Sequence, residues 1–141
     1  MATLSELAND LDASDMLGHI RNFPSDLAKA WNTSESWDLS AIENTTFNGV
    51  ICLGMGGSGA GGRFLKSLAD SEGGMPFVIW SDYGLPSWWG PEWLVLATSY
   101  SGNTEETLDG VKEALESGGS VIAVSLSLIH ISEPTRPLYS S

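Results

Sequence analysis

The order of apolar and polar positions divides the chain into a helical part and an alternating part. Leu4, Leu7, Ala8 and Leu11 recur at helical spacing, and Met16, Leu17, Ile20 and Phe23 form a second apolar stripe. "FPSDLAKAW" restarts a helix, with Pro24 and Asp26 suited to a first turn and Leu27 and Trp31 on one face. Residues 3–33 therefore read as short helices, and the polar, turn-rich stretch after them predicts a connector over residues 32–47. From residue 50 the pattern changes. "VICLGM" (50–55) is a continuous apolar run, as a strand covered on both faces requires. A Gly-rich turn leads to a helix near 58–70, with Phe64, Leu65 and Leu68 on one side. "PFVIW" (76–80) and "WLVLATS" (93–99) predict two more strands. "NTEETLDGVKEALES" (103–117) predicts a helix ended by Gly118 and Gly119, and "SVIAVS" (120–125) a fourth strand. Strands alternating with helices over short links imply an α/β class with a parallel sheet.

Between strands two and three, "DYGLPSWWGPEW" holds two prolines and three tryptophans. A rigid connection capping the sheet edge is the favoured reading, ahead of an aromatic sugar platform.

Composition narrows the partners. A chain of 141 residues holds one domain with a real core. Six basic against 18 acidic residues leave a net charge of −12, which argues against nucleic acid or an anionic membrane. A small phosphate ligand remains allowed, because backbone N–H groups at a helix start bind anions without side-chain charge. Cys52 is the single cysteine, so no internal disulfide or cysteine metal site is expected, and its apolar context suggests a buried, inert thiol. No run approaches the ~20 apolar residues of a membrane span, and the N-terminus has no signal pattern, so a cytoplasmic protein is expected. His19 falls in a helical stripe where a surface or packing role is expected, and no cluster has metal-ligand spacing.

Residues 126–136, "LSLIHISEPTR", do not continue the pattern. They would prolong strand four to an improbable length. They read as the conceptual translation of a sequencing adapter, and the tail 126–141, with His130, is set aside from fold reasoning. The organisation expected is an N-terminal helical segment and connector (1–47), an α/β domain (48–125) and this tail.

Two loops carry the candidate chemistry. "GMGGSGAGG" (54–62) has the dinucleotide spacing G-x-G-x-x-G through Gly54, Gly56 and Gly59, with the hydroxyl of Ser58 added. Asp82 follows strand two about 20 residues on, where a ribose-binding acid would stand. A P-loop is excluded, because Gly62-Arg63-Phe64 replaces the required Gly-Lys-Ser. The second loop, "SYSGNTEET" (99–107), places Ser99, Ser101 and Thr104 before a helix. Asn103 is its expected cap, with Glu106 as capping-box partner. Three hydroxyls beside a helix start make an uncharged pocket for a dianion. A dinucleotide reading leaves that loop unexplained, whereas a phosphorylated ligand lying across both loops accounts for both.

"GMGGSG" (54–59) together with "SYSGNTEET" (99–107) resembles the sugar isomerase (SIS) domain. "DMLGHIRNFPSDLAKAW" and "DYGLPSWWGPEWLVLATSYSGNTEETL" resemble more narrowly the bifunctional phosphoglucose/phosphomannose isomerases, over residues 1 to about 125. The resemblance implies a flavodoxin-like three-layer α/β/α sandwich, normally present twice per subunit of a homodimer, of which this chain would hold an incomplete first copy. It implies interconversion of glucose 6-phosphate or mannose 6-phosphate with fructose 6-phosphate through an enediolate, with no cofactor. Ser99, Ser101 and Thr104 would bind the substrate phosphate, and Gly57 and Ser58 the sugar. The family's catalytic arginine, glutamate and histidine match no position here and are expected beyond residue 125, so the chain is expected to be an inactive fragment. Two alternatives stand beside this one. A non-catalytic SIS phosphosugar sensor is disfavoured by the lack of a basic segment, and a nucleotide-cofactor oxidoreductase rests on the glycine spacing alone.

Overall fold

The structure is a computed structural model that describes residues 3, 7 and 11–125. Of the first expected helix only Leu7 and Leu11 are among them, and the tail 126–141 with His130 lies outside them. The chain divides into two compact units, at residues 40 and 41.

In the first unit, Met16–Ser34 is one continuous helix, α1, with Pro24 inside it. The sequence had suggested a break before Pro24. Proline removes the N–H that would meet the Ile20 carbonyl, but no residue of α1 is buried, so water can take that carbonyl. Continuity merges the two expected stripes into one row of exposed apolar side chains, Met16, Ile20, Phe23, Leu27 and Trp31. The helix starts on two aspartates. Asp15, with φ 51, accepts from the Gly18 N–H, and the Asp12 carboxylate accepts from the N–H groups of Met16 and Leu17, both at 2.7 Å. A short helix, α2 (Ser40–Glu43), interrupts the expected connector.

The second unit is built on strand β1 (Gly49–Leu53). Helix α3 (Ser58–Glu72) leads to β2 (Phe77–Trp80), a loop leads to β3 (Trp93–Thr98), and α4 (Glu105–Glu116) leads to β4 (Val121–Val124). The four strands are parallel in the order β2-β1-β3-β4. Successive side chains of a strand face opposite ways, which fixes the layers. Cys52 Sγ would meet a Cβ placed on Gly62 of α3, whereas Leu53 Cδ1 would meet one placed on Gly110 of α4. The helices therefore cover opposite faces, giving the expected α/β class with helix, sheet and helix in three layers.

On the α4 face, Ile51, Leu53, Val95, Ala97, Ala114 and Val121 form the buried core, with Val78, Trp80, Leu85, Trp89 and Val111 packed against it. The tryptophan loop belongs to this core, through Leu85 and Trp89. The Leu85 N–H donates to Glu113 of α4 at 2.7 Å, and Trp88 stands half-exposed, edge-on to Trp93 at 5.0 Å. The sequence favoured a partly buried connection, and Leu85 and Trp89 are partly buried, packed on the α4 face. Gly118 (φ +76) turns the chain out of α4, and the Gly119 N–H closes the helix on Ala114 O.

Two predictions follow from these contacts. A Cβ on Gly110 would lie 2.7 Å from Leu53 Cδ1 and 2.9 Å from the Gly84 carbonyl, whereas one on Gly61 meets nothing within 4 Å. Gly110→Ala should destabilise by about 1–3 kcal/mol despite its better helix propensity, and Gly61→Ala should stabilise by roughly 0.5–1 kcal/mol. Urea midpoints of the two variants should thus move in opposite directions. The Asp12 carboxyl is held below the usual aspartate range by the N–H of Leu17 and then that of Met16. Its folded value lies under its unfolded one. Its support for the start of α1 is therefore present above the unfolded value and lost as pH falls through the folded value. Protection of the Met16 and Leu17 amides, relative to their intrinsic exchange rates, should fall over that acidic range, and Asp12→Ala should show the reduced protection already at neutral pH.

Candidate functional site

From β1 the chain moves outward to β2, then crosses to the other side of β1 to build β3 and β4. The direction of winding reverses between β1 and β3, so their carboxyl ends mark the switch point at which open α/β sheets generally bind ligands. The two loops singled out in the sequence leave the sheet there, residues 54–57 from β1 and 99–104 from β3.

The first loop is shaped by close approach. A Cβ on Gly54 would run into Thr98 Oγ1, and Gly56 has φ +51, a conformation that favours glycine. Gly57 is the N-cap of α3 and faces open space, with nothing within 4 Å of where a Cβ would stand. Ser58 begins α3, and its Oγ accepts the Tyr100 N–H at 3.0 Å, which joins the two loops.

The second loop is closed by its own hydroxyls. Ser99, only 7% exposed, has its Oγ 3.0 Å from Thr104 Oγ1, and it accepts the Gly102 N–H at 3.1 Å. Gly102, at φ +72, makes the turn. Ser101 stands on the exposed side of the turn and accepts the Asn103 N–H at 3.3 Å. The expected capping box of Asn103 and Glu106 is not formed. Thr104 is the N-cap, without a side-chain cap bond, because its hydroxyl is directed to Ser99 instead. Of the five predicted site residues, Ser99 and Thr104 are brought into direct contact, and Ser58 is tied to their loop through Tyr100. Ser101 and Gly57 lie on the exposed parts of the two turns.

Two residues were missed by the sequence reading. Ser81, just after β2, donates to Gly54 O at 3.0 Å, and Thr98, the last residue of β3, donates toward Leu53 O and Ser58 O. The available signal was a hydroxyl where an apolar strand ends.

Charged groups border the loops. Arg63 of α3 reaches Gly56 O at 3.4 Å. Glu105 and Glu106 occupy the first turn of α4, where they suit the helix dipole but would repel an anion. The Tyr83 hydroxyl donates to Glu105 at 3.3 Å, and the negative charge of Glu106 is the main cause that raises the Tyr83 phenol. Asp82 accepts the neighbouring Tyr83 N–H at 2.8 Å. His19 is exposed on α1. Among the described residues, no group of His, Cys, Asp and Glu could hold a metal ion, and no helix is long and apolar enough to cross a membrane.

Comparison with known proteins returns relatives of one name. The chain is 32% identical over 110 residues to a bifunctional phosphoglucose/phosphomannose isomerase of Caldicellulosiruptor bescii, a match covering 78% of this chain and 32% of that protein. It is 41% identical over 83 residues to the protein of that name in Aquifex aeolicus, covering 58% and 26%. The like-named protein of Thermoplasma acidophilum is 38% identical over 80 residues, covering 57% and 25%. The resemblance to this family thus holds across separately named relatives, and the chain spans a third or less of their length. No family model and no solved structure matches it.

Beneath the first loop, Cys52 is fully buried between β1 and α3. Burial pushes its thiol up, and the polar Thr98 side chain only partly offsets this. Iodoacetamide at mildly alkaline pH should therefore leave Cys52 intact in the native protein and alkylate it fully in urea.

Proposed function

We propose that this chain provides the substrate-binding loops of a sugar-phosphate isomerase that interconverts glucose 6-phosphate or mannose 6-phosphate with fructose 6-phosphate. The observation that carries the reading is the hydroxyl pair Ser99–Thr104 at 3.0 Å, placed at the switch point and joined through Tyr100 to the glycine loop. Ser99, Ser101 and Thr104 take the phosphate, with the N–H groups at the start of α4 supplying further donors. The Tyr83 bond to Glu105 engages one of the two carboxylates that would oppose the anion. Gly57 leaves room for the sugar to approach the backbone, and Ser58 keeps its own proton for a sugar oxygen while its lone pair serves Tyr100.

The reaction opens the sugar ring and moves a proton between adjacent carbons through an enediolate. Proton abstraction needs a positioned base of tuned pKa, and we assign that base to none of the described residues. The chain so read is a domain that binds the substrate of a homodimeric enzyme and does not itself turn it over.

The test is calorimetric binding of glucose 6-phosphate, with an assay for turnover. Ser101→Ala and Thr104→Ala should each weaken binding by about tenfold or more, the loss of one donor to a charged group being on the order of 1.5–3 kcal/mol. Unchanged affinity in both variants would mean that the loop only shapes the start of α4. The dinucleotide reading keeps one observation, Asp82 at the end of β2. Saturable quenching of reduced nicotinamide fluorescence that a hexose phosphate does not relieve would favour it instead.

A further inference from the structure

Thr98 ends β3, but its hydroxyl serves the neighbouring loop. Its Oγ1 lies 3.0 Å from Leu53 O, at the end of β1, and 3.0 Å from Ser58 O, at the start of α3. A hydroxyl carries one proton, so these two carbonyls share it. The same side chain closes the space beside Gly54. Two residues on, the Tyr100 N–H takes the Ser58 Oγ. Ser58 is therefore gripped twice from the end of β3, at its carbonyl by Thr98 and at its hydroxyl by Tyr100. Ser99, between these two, faces the other way and bonds Thr104 and Gly102. On the far flank, Ser81 holds Gly54 O. The glycine loop is thus fixed from β2 on one side and β3 on the other.

We propose that Thr98 is a positioning residue, whose hydroxyl sets the spacing between the glycine loop (54–58) and the hydroxyl loop (99–104) so that they act as one site. The inference rests on the proposed function for its ligand, but not for its geometry. Thr98 touches no substrate in this scheme. It fixes where Ser58 stands relative to Ser99 and Thr104.

The full chain tests this as Thr98→Val, which keeps the branched shape and loses the donor, and as Thr98→Ser, which keeps the donor. Thr98→Ala serves in place of the valine variant should that one fail to fold. Two measurements are made on each protein. In hydrogen exchange, loss of the hydroxyl should accelerate the bonded amides of Gly59, Ala60 and Tyr100 by about tenfold, the effect of one lost hydrogen bond. Exchange at Val95 in mid-strand should not change, and serine should restore the wild-type rates. In calorimetry, the hydroxyl-free variant should bind glucose 6-phosphate about tenfold more weakly, while inorganic phosphate, which needs only residues 99–104, should change less than about twofold. Wild-type exchange in the hydroxyl-free variant overturns the proposal, as does equal weakening of both ligands. A wild-type protein that binds neither ligand sinks the functional reading alone, and exchange at Gly59, Ala60 and Tyr100 then decides the role of Thr98.

Discussion

The second unit depends on β1 being paired along both edges. Its residues Ile51, Cys52 and Leu53 have 0–2% of their surface exposed, and each is aligned with a residue of β2 and of β3. A strand closed on both edges and buried on both faces has no polar side, so a helix must lie above it and another below. The glycines of those helices allow the approach, Gly62 against Cys52 on one face and Gly110 against Leu53 on the other. The central position also explains the switch point. The chain must leave β1 for one neighbour and return for the other, and the two loops diverge where it does so.

The hydrogen bonds of these loops do local structural work with groups that the functional reading assigns to a ligand. Ser99 is nearly buried and already bonded within its turn, whereas Ser101 is exposed. The residues that look alike in "SYSGNT" therefore have different duties. One shapes the turn, one faces outward, and Thr104 joins the turn to the helix.

Much of this was legible in the sequence, and the rest was hidden for identifiable reasons. The strands stood out because an apolar run such as "VICL" between turn residues has few other interpretations, and the end of α4 was marked by Gly118 and Gly119. Their pairing order and the separation of Cys52 and Leu53 onto opposite faces came from tertiary contacts. The break expected at Pro24 failed because a proline in an exposed helix loses only one bond, and water can replace it. The Asn103 cap failed because the helix starts one residue later, on Thr104, whose own hydroxyl meets Ser99, a contact between residues five apart that no local propensity describes. Thr98 was read as the end of a strand. Its partners, Leu53 and Ser58, are 45 and 40 residues away.

The hydroxyl loop has a kinetic consequence for any anionic ligand. The groups assigned to the ligand, Ser99, Ser101 and Thr104, are neutral dipoles, and the chain as a whole carries −12. Dipoles attract only at contact distance, while the net charge acts out to the screening length, on the order of 10 Å in ordinary buffers. Under the proposed function, a dianion would be repelled by the distant field and held by the near one. Such a site gains its selectivity after encounter, and dissolved salt, which usually slows charge-guided association, would here lower the barrier to entry.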